Sequence, residues 1–129
     1  MSESWAVLAA VHELLSELRL DPSEVVLFDL CSGKGLTAVC LALEFPRTNV
    51  VAVDIISDKC LPHTVDLTNL RYAEADLFTC APLLQAELTA KRQAGGKAGL
   101  EQSQAQRQHG LTGILVGSHL CGRLSVQAV

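Results

Sequence analysis

Three acidic residues follow short apolar runs in this chain: Asp29 after Val-Val-Leu-Phe, Asp54 after Val-Val-Ala-Val, and Asp76 a little beyond Leu-Arg-Tyr-Ala. Between the first two lies Gly33-x-Gly35, where absent side chains let a backbone come close to a ligand. A carboxylate at the end of a strand can accept hydrogen bonds from both hydroxyls of a ribose diol, which suits Asp54. Asp76 is spaced to meet an adenine amino group. The chemistry such a set could do is recognition of a nucleoside-bearing cofactor. Taken singly, each feature has a plainer meaning, because a Gly-x-Gly is often only a turn and a strand-terminal aspartate is often a helix cap.

Other chemistries find less support. Lys34 lies inside the glycine segment, but the phosphate-binding pattern G-x-x-x-x-G-K-[ST] is absent, so its expected place is in solvent. His119 and Cys121 make two ligands with no second pair, a poor zinc site, and no metal is expected. His119 could act as a general base, since an ordinary pKa of about 6.5 suits proton transfer at neutral pH, or could make a structural hydrogen bond. His12, His63 and His109 suggest no role. The five cysteines (Cys31, Cys40, Cys60, Cys80 and Cys121) include no C-x-x-C pair and read as small core residues of a reduced protein.

The elements that must position these groups can be read from periodicity. An amphipathic helix is expected from about Ser4 to Leu20, with Leu8, Val11, Leu15 and Leu18 on one face, Ser2 or Ser4 as cap and Asp21-Pro22 as stop. Glu24–Asp29 and Asn49–Asp54 are continuous apolar runs typical of strands buried on both faces. Between them, Leu36–Glu44 reads as a helix that Pro46 ends. Ser57 to about Leu70 reads as a short or broken helix, interrupted by Pro62. A third strand is expected over Arg71–Ala75, a helix over Pro82–Arg92 and a fourth strand over Thr112–Gly117. Residues from Gln93 to Gly110, rich in Gly, Gln and Ser, read as a flexible insertion within a single domain spanning 1–129. Gly122–Val129 looks like the start of a further helix. Strands alternating with helices imply an α/β fold with a mostly parallel sheet.

Two cofactors compete for the glycine segment. Gly33-x-Gly35-x-x-Ala38 formally fits the dinucleotide fingerprint, with Asp54 near the expected distance for NAD. Against it, Asp29 stands where a dinucleotide fold usually continues with an apolar residue, and a full helix precedes the first strand. Together with the third acid, Asp76, these features favour S-adenosylmethionine.

At this point the residues resemble a family. Asp29-Leu-Cys-Ser-Gly-Lys-Gly-Leu36 resembles the first motif of the class I S-adenosylmethionine-dependent methyltransferases, Val-Ala-Val-Asp54 their second and Ala-Asp76-Leu-Phe their third. Cys31 replaces the family's first glycine. That variant, with Ser118-His-Leu-Cys-Gly122 after the fourth strand, is similar to a branch that includes a tRNA ribose 2′-O-methyltransferase family, which points to RNA as the acceptor, while a protein acceptor stays open. The resemblance implies a Rossmann-like three-layer sandwich of seven strands, of which about four are present, so the chain reads as C-terminally truncated. It implies that Gly33 and Gly35 line the methionine end of the donor with Asp29 and Cys31 nearby. Asp54 would hold the ribose, and Asp76 with Leu77 would contact adenine. Ser118 and His119 would stand at the exit of the fourth strand, where His119 is the catalytic candidate.

At 129 residues, with 49% hydrophobic and 19% charged residues, the chain can bury a core. Its net charge of −4 argues against gripping nucleic acid by its own basic surface. No basic leader and no apolar run of about 18 residues is visible, so an intracellular protein, cytoplasmic or nuclear, is expected without a membrane span. Three functions stay open: a donor-binding fragment of a methyltransferase, an enzyme completed by self-association or a partner at an exposed sheet edge, and a non-catalytic interaction module.

Overall fold

The computed structural model describes residues 3–55, 67–96 and 112–117. Along them run α1 (Glu3–Glu17), a 3-10 turn (Pro22–Glu24), β1 (Val25–Leu30), α2 (Leu36–Glu44), β2 (Asn49–Asp54), β3 (Leu70–Glu74), α3 (Ala81–Gly96) and β4 (Thr112–Val116). The strands form one sheet in the order β3-β2-β1-β4, and every neighbouring pair is parallel. The result is a small α/β fold of four parallel strands and three helices.

β1 is buried along its whole length, which is why its sequence is apolar without alternation. Val25 and Leu27 point toward Val11 and Leu15 of α1 and Ala38, Leu41 and Ala42 of α2. Val26, Phe28 and Leu30 point the other way, toward Leu83, Leu84 and Leu88 of α3. Helices therefore cover both faces of the sheet. Phe28, Leu27 and Leu41 are fully buried, and each such side chain contributes about 1.5–3 kcal/mol. From β1 the chain steps outward through β2 to β3, then places β4 on the opposite flank of β1. In open parallel sheets, ligands collect beyond the carboxyl ends of the strands at such a reversal.

Several boundaries differ from the sequence reading. Helix α1 stops at Glu17, not Leu20, because Arg19 takes a left-handed φ of 51° and the Leu20 N–H reaches back to the Leu15 carbonyl at 3.0 Å. That is a Schellman ending with arginine in the usual glycine place, and it leaves Leu18 exposed rather than on the packed face. Ser4 is no cap; its hydroxyl lies inside the helix, 2.9 Å from that of Thr37 on α2. β1 extends through Leu30, so Asp29 sits inside the strand. Helix α3 continues through Gln93–Gly96, where the insertion was expected to begin. The rest of that insertion, most of the helix expected over Ser57–Leu70, and all of 118–129 lie outside the described residues.

The end of α2 is closed by one side chain. The Asn69 amide nitrogen donates to the carbonyls of Ala42 at 2.9 Å, Phe45 at 3.2 Å and Thr48 at 3.0 Å. The Phe45 carbonyl also accepts the Thr48 N–H at 2.9 Å, while those of Ala42 and Thr48 are acceptors that a helix C-terminus and the turn after it must satisfy. Asn69→Ala is expected to destabilise the fold by about 2 kcal/mol in denaturant unfolding, the cost of leaving half-buried carbonyls unpaired. Asn69→Asp, nearly isosteric, should cost more, because it turns a carboxylate toward three acceptors. An aspartate variant as stable as the native protein would refute this account.

Candidate functional site

The segment after β1 is built from residues that accept left-handed backbone. Cys31, Gly33 and Gly35 have φ of 56°, 55° and 72°. Glycine takes such angles freely, whereas a cysteine there costs about 1 kcal/mol or more. The position at which the resembling motif carries glycine is thus one whose geometry calls for it. The Gly35 N–H closes a turn onto the Ser32 carbonyl at 2.8 Å, and Gly35 becomes the cap of α2, with no side chain capping the helix start.

Neighbouring strands hold this loop. The Ser32 N–H donates to the Val53 carbonyl at 3.2 Å, extending the β1–β2 ladder by one residue. The Gly33 N–H then donates to Asp54 Oδ2 at 2.8 Å. From β3, the Tyr72 hydroxyl donates to the Gly33 carbonyl at 3.0 Å and accepts from the Ser32 hydroxyl at 3.3 Å. An added Cβ on Gly33 would meet nothing within 4 Å, so its Cα faces open space.

Beside the loop lies a cleft of about 290 Å³ lined by Cys31, Val53, Asp54, Ile55, Ala75, Asp76, Leu77 and Phe78. That is close to the lower end of small-molecule sites, about 300–1,000 Å³. Two aspartates sit among its walls, Asp54 at the end of β2 and Asp76 just beyond β3. The Ala75 N–H donates to the Asp54 carbonyl at 2.9 Å, which keeps the ends of β2 and β3 together. Asp76 starts a tight turn: its Oδ1 accepts the Phe78 N–H at 2.9 Å and its carbonyl accepts the Thr79 N–H at 3.0 Å. The turn presents Leu77 and Phe78 to the cleft. Phe78 on one wall is 58% exposed and Ile55 on another 70% exposed, so large apolar groups stand open to solvent where a flat ligand could cover them.

The charge around the loop is negative. Burial pushes the Cys31 thiol up first, and then Asp54, Cys80, Asp29 and Asp76 push it further. All three acids singled out in the sequence thus act on one point at the loop. Tyr72 is pushed up by burial first; the hydrogen bond from Ser32 pulls against that, while Asp54 and Asp29 add to it. No group of His, Cys, Asp and Glu among the described residues is arranged to hold a metal ion.

Of the residues singled out in the sequence, Cys31, Asp54, Asp76 and Leu77 line the cleft, Gly33 is tied to it through Asp54, and Gly35, which is buried, and Asp29 are not among its lining residues. Asp29 is completely buried, below the loop rather than on the cleft surface. Lys34 is exposed, as expected. Ser118, His119 and Cys121 lie outside the described residues. Phe78 ends the third motif but carries no role in the sequence reading, and Tyr72 is not legible there: a tyrosine in a strand reads as packing, and only strand register places its hydroxyl against the loop. A glycine with empty space over its Cα, apolar walls and two cleft carboxylates suit a nucleoside with a short chain attached. No helix of the described residues is long and apolar enough to cross a membrane. In comparisons with known proteins, no family model, no curated protein and no solved structure matches this chain.

Proposed function

We propose that the chain is the S-adenosylmethionine-binding part of a class I methyltransferase domain, with the Rossmann-like arrangement of that family. The observation that carries this reading is where the Gly33 N–H goes: it is donated to Asp54 at 2.8 Å, in a loop mouth that Asp29 and Asp76 also influence. A dinucleotide's pyrophosphate relies on loop N–H groups and a helix N-terminus. Here one such N–H is committed to a carboxylate. A pyrophosphate brought to the same loop would meet that carboxylate as a like charge and be repelled by it. The methyl donor instead carries a sulfonium and an ammonium, which the same carboxylates attract.

In this reading Asp54 accepts from the ribose hydroxyls, and Asp76 with Leu77 receives the adenine edge. Ile55 and Phe78 cover the base, while Gly33 and Gly35 let the methionine end lie against the backbone, near Cys31 and above Asp29. The bound donor supplies an electrophilic methyl group; the protein's share is to hold it in line with an acceptor. Placement of an RNA or protein acceptor by Ser118 and His119 rests on the resemblance alone.

One observation favours NAD as a second reading: α2 starts behind Gly35 without a side-chain cap, and an open helix start attracts anions. Calorimetric titration of the chain with S-adenosylmethionine, S-adenosylhomocysteine and NAD separates the two. Saturable binding is expected for the first two and none for NAD. Binding of NAD alone would replace the proposal with the second reading. No binding by a folded chain would leave the glycine segment as a turn and sink both.

A further inference from the structure

Strand register sets Tyr72, Ala52 and Asp29 in one row across the sheet, so only a methyl group stands between the Tyr72 ring and Asp29. The ring packs on the core face shared with α1 and α2, and the hydroxyl reaches out of that core to the glycine loop. There it donates to the Gly33 carbonyl at 3.0 Å, while the Gly33 N–H goes to Asp54 at 2.8 Å. The N–H and the carbonyl belong to different peptide planes that meet at the Gly33 Cα. Both planes are thus held by side chains, one from β2 and one from β3. Glycine is the residue with most backbone freedom to lose, so two tethers matter more here than elsewhere.

We infer that Tyr72 is a positioning residue of the ligand site: acting through the Gly33 carbonyl, its hydroxyl holds the glycine loop in the form that binds the methyl donor. This rests on the reading under Proposed function. A loop held in its bound shape loses less freedom when the ligand arrives, and affinity rises accordingly. Ser32 supports the arrangement from behind. By donating to the Tyr72 oxygen at 3.3 Å, it leaves the phenol proton directed at Gly33.

Tyr72→Phe keeps the ring and removes the hydroxyl. Loss of one intramolecular hydrogen bond is expected to lower S-adenosylmethionine affinity about three- to tenfold by calorimetry. Amide hydrogen exchange followed by NMR gives a reading that a general loss of stability would not mimic. Exchange at Gly33 should speed up by a similar factor, while Val50 and Val51 in β2 stay unchanged. Ser32→Ala, which leaves the Tyr72–Gly33 bond in place but no longer directs the phenol proton, should lower affinity by a smaller factor than Tyr72→Phe does. Unaltered affinity in Tyr72→Phe overturns the inference, and so does exchange that rises equally at Gly33, Val50 and Val51. If the native chain binds no donor, the proposed function fails. The exchange comparison then judges the tether alone, and an unchanged Gly33 rate in Tyr72→Phe overturns it.

Discussion

Replacing Asp54 with alanine is expected to lower S-adenosylmethionine affinity about a hundredfold or more and to destabilise the chain by about 1–2 kcal/mol. Two roles meet in this side chain. Its Oδ2 accepts the Gly33 N–H at 2.8 Å, a charge-assisted bond of the stronger class. The carboxylate also lines the cleft, where in the proposed reading it receives the ribose diol. Alanine removes both, so the loop loosens and the ligand loses its charged acceptor; each loss is worth about 1.5–3 kcal/mol. Asp54→Asn separates the roles. Its amide oxygen can still accept from Gly33, so stability should stay within about 1 kcal/mol of the native value. Affinity should still fall at least about tenfold, since the amide oxygen stays with Gly33 and the NH2 left facing the diol carries no charge and can only donate. Calorimetry and denaturant unfolding on the same samples read both effects. A third readout follows from the thiol. Asp54 is the first-ranked charge raising Cys31, so its removal lowers that pKa and speeds alkylation of Cys31 at fixed pH, although burial still holds the thiol up. Donor binding by Asp54→Ala at native affinity would remove Asp54 from the site.

Much of this was legible because β1 and most of β2 are buried on both faces. The runs before Asp29 and Asp54 have no period to misread, and their parallel pairing follows from the helices between them. Parallel strands deliver their carboxyl ends to one edge, which is why Asp54 and Asp76 both line the cleft, whereas Asp29 lies inside β1, fully buried and off its surface. Helix ends were less legible. The Schellman turn at Arg19 uses a residue that normally avoids left-handed backbone, so no composition signal marks it. The side-chain ties were not legible at all. Asn69 reaches α2, and Tyr72 reaches Gly33, across sequence gaps that only the sheet register closes. A sequence indicates which residue types can bond; it does not say which of them meet.

Two glycines separate ligand recognition from packing, and Gly33→Ala is expected to abolish measurable donor binding while the fold survives. At Gly33 an added Cβ meets nothing within 4 Å, so the empty protein has room for it. The cost to stability is conformational only: a φ of 55° in an alanine, about 1 kcal/mol. The methyl group would occupy the space through which a ligand approaches the loop backbone, and affinity should fall more than about thirtyfold. Gly113 in β4 has the opposite profile. A Cβ there would lie 3.2 Å from Phe28 Cε2 and 3.4 Å from both methyl carbons of Leu88. Gly113→Ala therefore presses on the core between β1 and α3 and should cost about 1–2 kcal/mol, with donor affinity unchanged, because strain in a dense core is felt locally. The crossed pattern, binding lost at one glycine and stability at the other, is what a ligand-facing loop on a packed sheet requires. Equal affinities in native protein and Gly33→Ala would mean that the open space above the loop is not where the donor lies. The glycine would then be there for its backbone angle alone.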